Sequence, residues 1–102
     1  MTTETTEREY ATLTGTTLQL LTRNGDPYTK GDFEISRVID AWAYMTLANP
    51  GRQYFLRVMV RTLRGFDTRE FPMQTELSAD LAERQVRALL KARREAVTDG
   101  SE

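Results

Sequence analysis

A turn signal in the middle of the chain, Asn49-Pro50-Gly51, separates two runs in which apolar residues alternate with polar or aromatic ones. Because successive residues of a strand point to opposite faces of a sheet, the two runs can be tested as arms of an antiparallel hairpin. A four-residue NPGR connection pairs residues 38–48 with residues 53–63. One face of this hairpin is then apolar throughout, with Leu47 opposite Tyr54, Met45 opposite Leu56, Ala43 opposite Val58 and Ala41 opposite Val60.

The opposite face of the predicted hairpin combines aromatic, sulfur-containing and charged side chains. Its pairs are Thr46 with Phe55, Tyr44 with Arg57, Trp42 with Met59, and Asp40 with Arg61. An aromatic ring beside a cation, a sulfur beside an aromatic ring and an ion pair are each favourable cross-strand contacts. A shift of one residue would mix the two faces, so the pattern predicts this register.

The same central segment also fits a helical hairpin over residues 32–64. In its first helix, one side of the helical wheel would carry Ile35, Val38, Ile39, Trp42, Met45 and Thr46. Asn49 could cap, and Pro50 begin, a second helix that ends at Gly65. The run YFLRVMVRTL is rich in residues that favour strands, so we prefer the β-hairpin and keep the helical hairpin as the alternative.

Further strands are predicted on either side of the hairpin. Residues 10–22, rich in threonine and leucine, predict a strand in which Gly15 marks a bulge, and residues 23–31 predict a loop. Residues 68–73 predict a short edge strand, because Pro72 has no N–H group and is tolerated only at an edge.

The last third of the chain predicts a helix with Ser78 as its N-cap. Its apolar face is predicted to pack on the sheet through Leu81, Val86, Leu89 and Leu90, together with Ala82, Ala88 and Ala92. The sequence therefore predicts an α+β fold, a small antiparallel sheet of three to four strands with a C-terminal helix on one face. We expect one globular domain over residues 10–97, between flexible tails at residues 1–9 and 98–102.

Composition excludes most familiar active sites. The 102 residues include no cysteine and no histidine, which removes thiolate catalysis and the commonest transition-metal ligands. The spacings of calcium-binding loops, phosphate-binding loops and nucleophile elbows do not occur. We therefore expect a protein that is not an enzyme, with no catalytic residues, cofactor, metal site or small-molecule substrate. An enzymatic alternative would have to bring together Asp32, Glu34, Asp40, Asp67 and Glu70.

The charge of the chain is unevenly distributed. The net charge is −1, but residues 52–97 carry ten basic and six acidic side chains, a local charge of +4. No apolar stretch reaches the length of a membrane span and no secretory leader is recognisable, so we expect a cytoplasmic protein without a membrane partner.

The mixed face of the predicted hairpin is the candidate binding surface. Its residues are Trp42, Tyr44, Phe55, Arg57, Met59 and Arg61. A single helix can cover only one face of the sheet, so this face stays uncovered unless the N-terminal strand or a loop folds over it. Aromatic residues, methionine and arginine are the types enriched where proteins bind partners.

Two kinds of partner fit such a surface. We expect protein–protein association, including self-association, as in a phage or mobile-element protein that binds a host or viral component. Nucleic-acid binding is the alternative, because aromatic rings stack on bases and arginine contacts phosphate. Phosphate binding favours a net positive charge, which the whole chain lacks.

Overall fold

Six antiparallel strands form two three-stranded sheets, and one helix follows them. The computed structural model describes residues 8–48 and 51–100. Its elements are β1 (Ala11–Thr14), β2 (Thr17–Leu21), β3 (Pro27–Glu34), a 3-10 turn (Ile35–Arg37), β4 (Val38–Ala48), β5 (Gly51–Thr62), β6 (Gly65–Met73) and α1 (Glu76–Gly100). The strand orders are β1-β2-β3 and β4-β5-β6. The predicted α+β class is confirmed, and the helical hairpin over residues 32–64 is wrong.

The central hairpin forms with its two faces as predicted, but its register differs by two residues. Trp42 lies opposite Arg57, not Met59, and Tyr44 lies opposite Phe55, not Arg57. The strands extend to Ala48 and Gly51, which pair directly, so the connection is shorter than the predicted NPGR loop. A shift of two residues leaves every side chain on its own face, which is why the faces survive.

The first sheet was not predicted as a unit. The single strand expected over residues 10–22 is a hairpin, because Gly15 adopts a positive φ of 62° and lies in a turn, not a bulge, between Thr14 and Thr17. The loop expected over residues 23–31 ends early. Strand β3 begins at Pro27 and pairs with β2, with Phe33 opposite Leu18.

The helix and the first sheet pack on the same face of the second sheet, here called the inner face. Leu56 and Val58 of β5 are fully buried there. Ala82, Val86 and Leu90 of α1 belong to the same apolar cluster. From the first sheet, the rings of Tyr28 and Phe33 meet the ring of Phe71 edge to face, with centroids 5.4 and 5.9 Å apart. One core thus holds the helix and the two sheets together.

Helix α1 begins at Glu76, two residues before the predicted cap Ser78. Thr75 precedes its first turn, and the Thr75 hydroxyl accepts from the Ser78 N–H at 3.1 Å. The Ser78 hydroxyl accepts in return from the Thr75 N–H at 3.0 Å. This reciprocal pair is a capping box, in which Ser78 is the third helical residue and not the N-cap.

The apolar face of α1 is largely as predicted. Leu81, Val86 and Leu90 are buried, whereas Leu89 is only half-buried. Ala88 and Ala92, predicted for the packing face, are exposed. Among the described residues, no helix has the length and the apolar character that crossing a bilayer requires.

The boundaries predicted for the two tails can be compared with the chain at residues 8 and 100. The Arg8 carbonyl already accepts a hydrogen bond from the Gln85 side chain at 2.6 Å. Helix α1 continues to Gly100, inside the predicted C-terminal tail. The rest of both predicted tails, residues 1–7 and 101–102, lies outside the described residues, as do residues 49 and 50 of the predicted loop.

Candidate functional site

The second sheet presents a mixed aromatic and charged surface on the side away from α1, here called the outer face. The alternation of β4 and β5 brings all the predicted site residues to it. Trp42, Tyr44, Phe55, Arg57 and Met59 are half-buried, and Arg61 is exposed. The half-buried residues shield one another laterally, as neighbouring side chains on a pleated surface do.

Arg57 lies at the centre of the outer face. Its guanidinium carbon is 4.5 Å from the centroid of the Tyr44 ring and 6.0 Å from the centroid of the Trp42 ring. The Tyr44 and Phe55 rings are stacked, with centroids 5.3 Å apart and planes inclined by 21°. The predicted cation–ring contact between Tyr44 and Arg57 therefore forms, but as a diagonal contact across the hairpin.

Glu70 of β6 completes this cluster, and it was not among the predicted site residues. It lies opposite Arg57 across the β5–β6 ladder, and the Arg57 Nε donates to Glu70 Oε2 at 3.0 Å. The Tyr44 hydroxyl, followed by the Arg57 guanidinium, lowers the pKa of Glu70. The pKa of Tyr44 is raised, first by partial burial and then by its hydrogen bond to Glu70. The positive charge of Arg57 is thus balanced within the outer face.

The predicted ion pair between Asp40 and Arg61 does not form. Asp40 instead accepts from Arg87 of α1, with Nε and Oδ1 3.1 Å apart. Arg87 also contacts Glu83 one helical turn earlier, at 2.8 Å. A bulge between Val38 and Asp40 shifts the ladder at this point. The hairpin pattern alone did not predict the contact between Asp40 and Arg87, because a bulge changes the pairing of every residue that follows the bulge.

Strand β1, one element that could have folded over the outer face, packs elsewhere. Strand β1 pairs with β2, and the N–H groups of Tyr10 and Ala11 donate to the Gln85 side chain of α1 at 2.6 and 3.1 Å. The ion-pair, cation–ring and ring-stacking contacts of Arg57, Tyr44 and Phe55 are made within β4, β5 and β6. These aromatic side chains keep part of their surface exposed among the described residues.

The acids that an enzymatic site would need are dispersed. Asp32 accepts from Gln19 at 3.0 Å, Glu34 accepts from Thr16 at 3.2 Å, and Asp67 lies 3.5 Å from Arg69. Across residues 8–48 and 51–100, no three acidic side chains approach in a way that could hold a metal ion.

Comparison with known proteins supplies no analogy for the outer face. The chain matches no family model, and neither a curated protein nor a solved structure matches it. Its function is therefore inferred from the outer face itself.

Proposed function

We propose that this chain is a non-enzymatic binding protein that associates with another protein through the outer face of β4, β5 and β6. One observation carries the proposal. Large aromatic side chains and Met59 are partly exposed on this face, and its central cation is already paired with Glu70. A nearly neutral, aromatic, partly dehydrated surface is the type that protein partners bury at the centre of an interface.

The pairing of Arg57 with Glu70 favours a protein partner over a nucleic acid. Affinity for nucleic acid depends mainly on cations that neutralise phosphates and release their counterions. Glu70 accepts hydrogen bonds from the Nε and one Nη of Arg57, and its carboxylate offsets the charge that would attract a phosphate. Arg61 is exposed, but it is one residue at the margin of the face. A protein partner can pack on the rings and leave the ion pair intact.

The planar groups of the outer face indicate how a partner would bind. Arg57 and Phe55 already contact the Tyr44 ring, so we expect an apolar side chain of the partner to pack mainly on Trp42. The small size of the chain, its few lysines and its polar Thr/Glu leader support a phage or mobile-element protein. The partner of such a protein would be a host or viral component.

A tryptophan substitution tests this proposal. Trp42→Ala should weaken binding of a protein partner by about 2 kcal/mol or more, with little dependence on salt, as loss of a central aromatic anchor does. Leu13→Ala, on β1 of the first sheet and 39% exposed, is the matched control and should leave affinity unchanged. Calorimetry with both variants measures the difference.

If the partner is a nucleic acid, the same binding measurements should give a different result. Nuclease treatment would then abolish binding. Arg57→Ala and Arg61→Ala would each reduce the slope of the logarithm of the binding constant against the logarithm of salt concentration by about one. That pattern, or a Trp42→Ala variant that binds as tightly as the wild type, would contradict the proposed function.

A further inference from the structure

The two edges of the second sheet differ in how their outward peptide groups are satisfied. Along β4, the Ala43 N–H donates to Glu83 at 2.7 Å, and the Ile39 carbonyl accepts from Arg94 at 3.3 Å. Both partners belong to α1, which therefore covers this edge between residues 39 and 43. Strand β6 forms the other edge, and its residues 66–70 are all exposed.

The contact of Pro72 shows which peptide groups of β6 point outward. The Pro72 carbonyl accepts from the Tyr28 hydroxyl of the first sheet at 2.5 Å, so it faces away from β5. Since strand peptide groups alternate in direction, those of Phe66, Thr68 and Glu70 also face away from β5. The N–H of Thr68 meets the neighbouring Asp67 carboxylate at 3.0 Å. For the outward peptide groups of Phe66 and Glu70, the described part of the chain provides no partner.

This edge is accessible over its whole free length. Every residue from position 66 to position 70 is exposed, and 66% of the surface of Phe66 is accessible to solvent. Pro72, which has no N–H group, ends the edge on one side, and the turn after Thr62 ends it on the other. Unpaired strand edges of this kind add a strand from another chain unless charge or shape prevents it.

The sequence of the free edge is complementary to itself. If two copies pair antiparallel about Thr68, Asp67 of each copy lies opposite Arg69 of the other, and Phe66 lies opposite Glu70. Centring the pairing on residue 67 would oppose two aspartates, and centring it on residue 69 would oppose two arginines. Opposite charges stabilise cross-strand pairs and like charges destabilise them, so one register is selected.

We propose that two copies of this chain associate through their β6 edges, antiparallel and centred on Thr68, to form one continuous six-stranded sheet. Each opposed pair of outward residues then exchanges two backbone hydrogen bonds. Asp67 must release the Thr68 N–H and its 3.5 Å contact with Arg69. The carbonyl of Thr68 and the Arg69 guanidinium of the second copy replace these partners, so no polar group is left unpaired. The interface is short, which makes the dimer weak and dependent on concentration.

This inference does not depend on the proposed binding face. Trp42 lies on β4 at the opposite edge of the sheet, so edge pairing of β6 leaves it uncovered. Trp42→Ala should therefore leave the dimer unchanged, and the two proposals can fail separately.

Charge reversal along the edge tests the dimer. Sedimentation equilibrium from micromolar to millimolar protein should show a reversible monomer–dimer equilibrium for the wild type. Asp67→Arg and Arg69→Asp should each weaken dimerisation about tenfold or more, because each places like charges opposite one another twice. Both side chains are exposed, so the monomer should remain folded. The double variant, Asp67→Arg with Arg69→Asp, restores opposite charges and should dimerise within a few-fold of the wild type.

Amide hydrogen exchange locates the contact independently. The N–H groups of Phe66, Thr68 and Glu70 should become protected as the protein concentration rises, while those of Met45 and Leu47 on the β4 edge should not. The proposal is overturned by a wild type that stays monomeric at millimolar concentration, or by single variants that dimerise normally. It is equally overturned by a double variant that does not recover, or by dimerisation without protection of these amides.

Discussion

The two faces of the second sheet are made by the same strands but are stabilised in different ways. On the inner face, Leu56 and Val58 are removed from water by the helix and the first sheet. On the outer face, Phe55 and Arg57 are shielded by their neighbours within the sheet, through ring stacking and an ion pair with Glu70. The buried inner face therefore stabilises the fold. The outer face is held in place by lateral contacts, and it is the surface that we propose binds a partner.

The largest expected difference between the two faces concerns stability. Leu56→Ala should cost about 2 to 5 kcal/mol in the free energy of unfolding, because it opens a cavity in a closed core. Phe55→Ala, at the adjacent position of the same strand, should cost about 1 kcal/mol, since it removes one cross-strand ring contact. Denaturant unfolding measures both. Similar losses at the two positions would mean that the outer face is part of a second core.

A smaller difference in stability is expected between substitutions of two acidic residues. Glu83 lies on the helix side of the sheet, and Glu70 lies on the outer face. Glu83 accepts the Ala43 N–H on the helix side, so Glu83→Ala should cost about 1 to 3 kcal/mol by leaving a partly buried donor unpaired. Glu83→Gln keeps an acceptor and should recover most of this loss. Glu70→Ala removes only an exposed ion pair, so its effect on the unfolding midpoint should be smaller than that of Glu83→Ala. A larger effect at Glu70 would reverse the comparison.

The smallest expected effect is a pKa change within the outer face. Tyr44→Phe and Arg57→Gln should each raise the pKa of Glu70, because each removes a hydrogen bond to its carboxylate. The folded-state pKa of Glu70 lies below its unfolded value. Its contribution to stability is therefore present above the unfolded pKa and lost as pH falls through the folded pKa. Carboxyl NMR titration of Glu70 measures the change, and an unaltered titration in both variants would contradict the geometry of the cluster.

The alternation of β4 and β5 was sufficient to assign their side chains to faces, but not to fix the register. Trp42, Tyr44 and Arg57 reach the predicted face because a shift of two residues preserves it. The pairing partner of each depends on the length of the connection. Two registers that differ by two residues place the same side chains on each face, so the apolar pattern cannot distinguish between them. The bulge near Asp40 and its contact with Arg87 likewise depend on where α1 packs.

The first sheet and Glu70 were harder to anticipate for related reasons. Strands β1 and β2 are four and five residues long, and Gly15 fits a bulge in one strand as well as a turn between two. Glu70 reaches Arg57 only through the β5–β6 register, which is set by the turn that ends at Gly65. The alternation of residues in β4 and β5 does not determine which residue of β6 lies opposite Arg57.

Quenching of tryptophan fluorescence tests most directly that the outer face is an open surface. Trp42 is the only tryptophan in the chain, so its emission reports on this face alone. At dilutions where sedimentation shows a monomer, we expect acrylamide to quench Trp42 readily, and a bound protein partner to reduce that quenching. Blue-shifted emission that acrylamide does not quench in the monomer would show that the face is covered, and would contradict the proposed binding surface.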